Sequence, residues 1–211
     1  MNINYNKTFS MPILYLCILT DIVFVALNVL YELHPAVTDP ALQIAQDRGY
    51  SEIFQYIKEF WIAGTLMFFA WRRRSALYLA WSGLFFYLLL DDSLRIHENW
   101  SKAPYFPSLF GLNSHASGEI IIAAAVGISF LGLIAIAYRS APPFERTVSK
   151  FLTWLLFSLA FLGVFIDGLH SIIQVTLLDP IFTTLEDGGE MLVMSLTLSF
   201  ILLLTERVRQ I

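Results

Sequence analysis

Seven side chains of this sequence combine metal-ligating or acid–base chemistry with spacings that gather them: Asp91, His97, Glu119, Asp167, His170, Glu186 and Glu190. Carboxylate and imidazole together form a donor set for Zn²⁺, Fe²⁺ or Mn²⁺ rather than for a soft-ligand metal. Asp167 and His170 stand at i,i+3, and the pairs His115/Glu119 and Glu186/Glu190 at i,i+4, so each pair leaves one face of a helix. Bundle cores that hold two irons or manganeses use single acids from two helices and an acid-x-x-His pair from each of two others. Asp167–His170 supplies one such pair and Glu119 and Glu190 the single acids, while the second pair is missing. A mononuclear hydrolytic zinc needs three protein ligands and an open position. His97, His170 and either Asp167 or Asp91 fill that role, leaving Glu119 or Glu190 as the catalytic base. Glu186 adds a further ligand, or instead closes a capping box with Thr183 at a helix start.

The elements that would position these groups follow from composition. Only 14% of the 211 residues are charged, against about 25% in a soluble domain. Hydrophobic residues make up 57% and the mean hydropathy is +0.65, more apolar surface than so short a chain can hide from water. The excess must face lipid. A soluble enzyme, a disordered tail and a disulfide scaffold are excluded, and a net charge of −4 gives no footprint for nucleic acid. Cys17 is the single cysteine, which removes any Cys-based zinc site.

A bilayer span takes roughly 20 apolar residues. Six segments meet that length, at about 11–31, 52–71, 76–97, 117–138, 151–170 and 185–205, separated by prolines and by Arg72-Arg73-Arg74. No repeat, low-complexity tract or long linker divides them. The expected architecture is therefore all-α: one polytopic six-helix transmembrane domain over residues 1–211. The first segment is read as a retained helix, because Asp21 interrupts it and no small-x-small cleavage site follows. If six spans alternate, nine of the thirteen basic residues fall on one side, which places both termini in the cytoplasm. The expected location is the cell (inner) membrane, as a multi-pass protein with the lipid bilayer as its partner.

The acids sort the opposite way. Of seventeen carboxylates, only Glu145 and Glu206 lie on the basic side, and Asp21 lies inside the first span. The other fourteen, and all four histidines, fall in the outer loops or the outer halves of helices. Counting about 1.5 Å per residue from the basic ends puts Asp91, Asp167 and Glu190 roughly 24–25 Å up their helices. Glu59 comes at about 20 Å, and His97, Glu119, His170 and Glu186 about a turn above the acids. Charges facing lipid are costly, so these groups should turn inward. Crowded carboxylates then need a cation, and Lys58, Arg95, protons or a divalent metal are the candidates.

Several functions follow as expectations. The first is a metal-dependent membrane enzyme, hydrolase or oxidoreductase, acting on a lipid or other apolar substrate near the outer face. The second is a proton- or cation-coupled transporter, with Asp21 and Glu59 as the inward steps; the apolar inner halves of helices three to six count against it. A b-type haem between His97 and His170 is a third, poorly served by the surrounding acids. The last is a structural or assembly protein in which the acids form hydrogen-bonded glue between helices.

Overall fold

Apolar runs broken by prolines and charge clusters produce seven helices in the computed structural model, which describes residues 10–102, 106–108, 114–166, 169 and 179–209. In chain order these are α1 (Ser10–Leu33), α2 (Tyr50–Arg73), α3 (Ala76–Leu94), α4 (Ile96–Ser101), α5 (Ser114–Ser140), α6 (Pro143–Ala160) and α7 (Asp179–Arg209). A single 3-10 turn, Pro40–Leu42, interrupts the α1–α2 connection, and a π-helical turn, Phe161–Ile166, extends α6. No strand occurs among the described residues.

Local chemistry sets the boundaries. Arg74 takes the left-handed conformation after α2 and returns its N–H to Ala70 O, and Ser75 then caps α3 by accepting from Tyr78 N. Arg95 repeats the left-handed turn between α3 and α4. Pro143 occupies the first turn of α6, where a missing N–H costs nothing. Asn28 reaches from α1 to accept Ile44 N, folding the α1–α2 connection back over the bundle end.

Four helical stretches are long and apolar enough to cross a membrane: Met11–Leu33, Ser117–Ser140, Pro143–Ile166 and Pro180–Thr205. By length and composition the chain is a membrane protein. Large side chains on these helices stand exposed, among them Leu19, Ile22, Ile128, Ile136, Trp154 and Phe157. Apolar surface this extensive on a soluble monomer would be an anomaly.

The expected segments at 52–71 and 76–97 form helices α2 and α3, the second ending at Leu94 so that His97 falls on α4. Among the described residues α2 and α3 pack together more extensively than any other pair. Each has one buried face and one that exposes large apolar side chains, such as Phe60, Trp61, Phe68 and Trp71 on α2 and Leu79 and Phe86 on α3. Every third or fourth residue of α2 is buried, from Ser51, Gln55, Lys58 and Glu59 through Ile62, Leu66, Phe69 and Ala70. That stripe is polar in its first half and apolar in its second. The apolar half joins Leu77, Tyr78, Trp81, Leu84 and Phe85 of α3, Leu152 of α6 and Met194, Leu198 and Ile201 of α7 in one core.

Two expectations change. α7 begins at Asp179, so Thr183 lies inside the helix and forms no capping box with Glu186. The basic-end half of the bundle is also less uniformly apolar than its sequence implied. Ser75, Ser82, Glu145 and Ser149 are all buried there. Ser75 Oγ donates to Glu145 Oε2 at 2.5 Å, Trp81 Nε1 to Ser149 Oγ at 2.9 Å and Ser82 Oγ to Ala63 O at 2.8 Å.

Candidate functional site

A buried ion pair joins α1 and α2. Lys58 is fully buried and Asp21 nearly so, with Lys58 Nζ 3.1 Å from Asp21 Oδ1. Lysine has three N–H donors, and each finds an acceptor. The other two go to Met191 O at 2.9 Å and Ser195 Oγ at 3.3 Å, both on α7. Ser195 Oγ in turn donates to Asp21 Oδ2 at 2.6 Å. The i,i+4 spacing of Met191 and Ser195 puts both on the face that meets Lys58. Three helices are thereby tied by one closed set of hydrogen bonds. Burying two charges costs several kcal/mol per ion, and only such complete pairing offsets it.

Asp21, set inside an apolar span, needs a partner on a neighbouring helix or close by on its own. The neighbouring helix supplies it, while Thr20 Oγ1 donates to Leu16 O. Buried Cys17 lies one turn before Asp21. The lysine was legible as a cation near the acids, but its pairing with Asp21 was not.

One residue further along α2, Glu59 is buried and faces Asp92 of α3 and Glu190 of α7. Its Oε2 has no hydrogen-bond partner, and neither has Oε1 of Gln55, one turn earlier on the same face. Gln55, Asp92 and Glu190 border a cavity of about 160 Å³ that opens at the acidic end of the bundle. Asp47, Ser51, Glu52 and Asp187 complete its polar wall, and Met191, whose carbonyl binds Lys58, forms part of its floor. Carboxylates therefore lead from the bundle end, past Asp92 and Glu190, to Glu59 and the Lys58–Asp21 pair.

Glu190 is held where α7 crosses the π-helical turn. A side chain at Gly163 would overlap Glu190 Oε1, and one at Gly189 would press on Leu162, so glycine at both positions permits the close crossing. Single π turns recur at functional sites because they re-aim the residues around them.

The slab of acids and histidines expected from helix depth divides into separate groups. Asp91 turns away from Asp92 and pairs with His97, whose Nδ1 lies 3.1 Å from Asp91 Oδ2 and whose N–H donates to Asp91 Oδ1 at 2.9 Å. Glu119 pairs with His115 at 3.3 Å, and His115 Nε2 lies 3.3 Å from Ser101 Oγ. Glu186 and Glu190 share a face of α7, both half-buried. Asp167 and His170 lie outside the described residues. Among the described residues no three His, Cys, Asp or Glu side chains converge as metal ligands. The structure thus gives no support to the expected Zn, Fe or Mn centre.

At the rim, Arg95 bridges Asp47 at 3.0 Å and also pairs with Glu98. That guanidinium holds the Glu98 carboxyl below the usual carboxylate range.

Residues 16–204 match the family described as a domain of unknown function (DUF8692). The chain belongs to the DUF8692 family. The matched region of this DUF8692 protein includes the Asp21–Lys58–Ser195 set and every residue lining the acidic cavity. No curated protein matches the chain, and no solved structure does.

Proposed function

We propose that this DUF8692 protein is a proton- or cation-coupled membrane transporter, built as one six-span domain with both termini in the cytoplasm. In that arrangement α2 and α3 cross the membrane beside the other four long helices, with their exposed apolar faces toward lipid. The observation that carries the reading is the line of carboxylates from the acidic cavity through Glu59 to the buried Lys58–Asp21 pair. Intramembrane ionisable groups that face a cavity and pair with one another are the usual parts of proton and ion pathways. The buried Ser82, Ser149 and Glu145 supply polar groups in the other half of the bundle, which the sequence had made look dry. The bound-metal enzyme reading depends on Asp167 and His170 and gains nothing from the residues around Glu190.

The test is flux in proteoliposomes that carry a pH-sensitive dye inside and an imposed gradient of protons or small cations. Purified protein should move protons above the empty-vesicle rate, and Glu59→Gln should reduce that movement by about tenfold or more, as loss of a relay group would. Flux equal to empty vesicles would remove the reading. A Glu59→Gln protein that loses stability while flux per folded molecule stays unchanged would favour hydrogen-bonded glue instead.

A further inference from the structure

The acidic cavity has the chemistry of a binding site rather than of a passage alone. Its wall includes the carboxylates of Asp47, Glu52, Asp92, Asp187 and Glu190, and among the described residues no lysine, arginine or histidine lines it. Arg95 reaches Asp47 from outside, and the Lys58 ammonium has all three of its donors engaged below. Gln55 is a second and independent sign. It is 8% exposed, it borders the cavity, and its Oε1 has no hydrogen-bond partner. Glu59, one turn deeper and behind the cavity wall, already shares a side-chain hydrogen bond with Asp92. A buried acceptor left without a donor is destabilising, so the Gln55 oxygen at the cavity edge indicates a donor that arrives from elsewhere.

The nature of that donor follows from how the acceptors are spread. A hard metal ion requires several oxygens converging at roughly 2.0–2.6 Å. No such convergence exists among the described residues. Acceptors dispersed around about 160 Å³ instead suit a cation whose N–H groups sit on different atoms. Space of that size takes about five waters, or a molecule of roughly six heavy atoms. The protein already shows this chemistry at the rim, where the Arg95 guanidinium lies on Asp47. Guanidinium and ammonium groups form charge-assisted hydrogen bonds with carboxylates, about twice as strong as neutral ones.

We propose that the cavity binds a small organic cation with several N–H donors, an alkyl diamine or a guanidinium compound, between Gln55, Asp92 and Glu190. The proposal deepens the transport reading by naming the cargo class, and its test needs no transport. Full-length protein in mild detergent is titrated calorimetrically with 1,4-diaminobutane, with methylguanidinium, and with magnesium and calcium chloride at matched ionic strength. The expected result is saturable binding of at least one organic cation, tighter than either metal ion. Gln55→Leu and Glu190→Gln should each weaken it about tenfold, the worth of one hydrogen bond to a charged group. Glu145→Gln, at the opposite end of the bundle, should leave it unchanged. Melting curves on each variant separate lost binding from lost folding. Absence of saturable binding by the organic cations overturns the proposal, as does tighter binding of magnesium or calcium. Binding without flux sinks only the transport reading, whereas flux without binding sinks only this one.

Discussion

The interior of this bundle has two halves built by different rules on the same helices. Toward the basic end, Leu66, Phe69, Tyr78, Trp81, Leu152, Leu198 and Ile201 pack into an apolar core. Toward the acidic end, the same stripe of α2 buries Gln55, Lys58 and Glu59, which meet Asp21, Asp92, Glu190 and Ser195. The apolar half also buries polar side chains, several of them locally satisfied, as in the Trp81–Ser149 and Ser82–Ala63 contacts, while Arg73 Nε at its end has no partner. The polar half mixes a fully satisfied ion pair with two acceptors that have no partner. A protein does not need orphaned acceptors for stability. Both orphaned acceptors of α2 lie in the polar half, which supports that half as the place of the proposed binding and the other as its anchor.

The comparison is tested most severely at Lys58. Replacing it with methionine keeps much of its volume but leaves Asp21 buried without its cation, and should destabilise the protein by about 3–5 kcal/mol. Adding Asp21→Leu to Lys58→Met should recover most of that loss, since removing a buried pair altogether is often neutral or better. Chemical denaturation in detergent, or thermal melting, reads both. If the double variant is as unstable as the single one, the pair acts through more than mutual compensation, and the division of the interior loses its main support.

Leu198→Ala probes the other half, where the side chain is fully buried against the α3 and α6 core. The expected cost is about 2–5 kcal/mol, set by the cavity left behind. It should lower stability while leaving organic-cation binding intact at temperatures where the protein stays folded. Equal damage to binding would mean that the halves are coupled, and would undo the separation of anchor from site.

Much of this was legible in the sequence, for identifiable reasons. Helices need only apolar runs and breakers, so among the described residues a long helix overlaps each of the six apolar segments, although the third breaks at Arg95. The concentration of acids at one end was legible too, because depth along a helix is a linear count. Helix rotation was the harder part. Asp91 and Asp92 are adjacent, about 100° apart on the wheel, and depth alone could not tell which faced the bundle. Asp91 was singled out, yet Asp92 faces Glu59 while Asp91 turns to His97. The signal that would have corrected this lay in α2, where Ser51, Gln55, Lys58, Glu59 and Ile62 form one i,i+3/i+4 stripe. A polar stretch continuing an apolar stripe identifies the face that is buried and the partners it requires. The Lys58–Met191–Ser195 contacts had no such signal, since they join positions more than 130 residues apart.

The smallest effect is expected where the polar half meets solvent. The Arg95 guanidinium holds the Glu98 carboxyl below its ordinary range. A depressed carboxyl pKa contributes stability that is fully present above the unfolded value, about 4.3, and is lost as pH falls through the folded value. The wild type should therefore exceed Glu98→Gln in melting temperature near neutral pH, with the gap closing as the solution is acidified below about pH 4. Partial exposure of the pair makes the gap narrower than either interior substitution produces, and added salt should narrow it further. A gap independent of pH would show that Glu98 acts through packing rather than charge. A gap as wide as that of Lys58→Met would place the decisive electrostatics at the rim and not around Asp21.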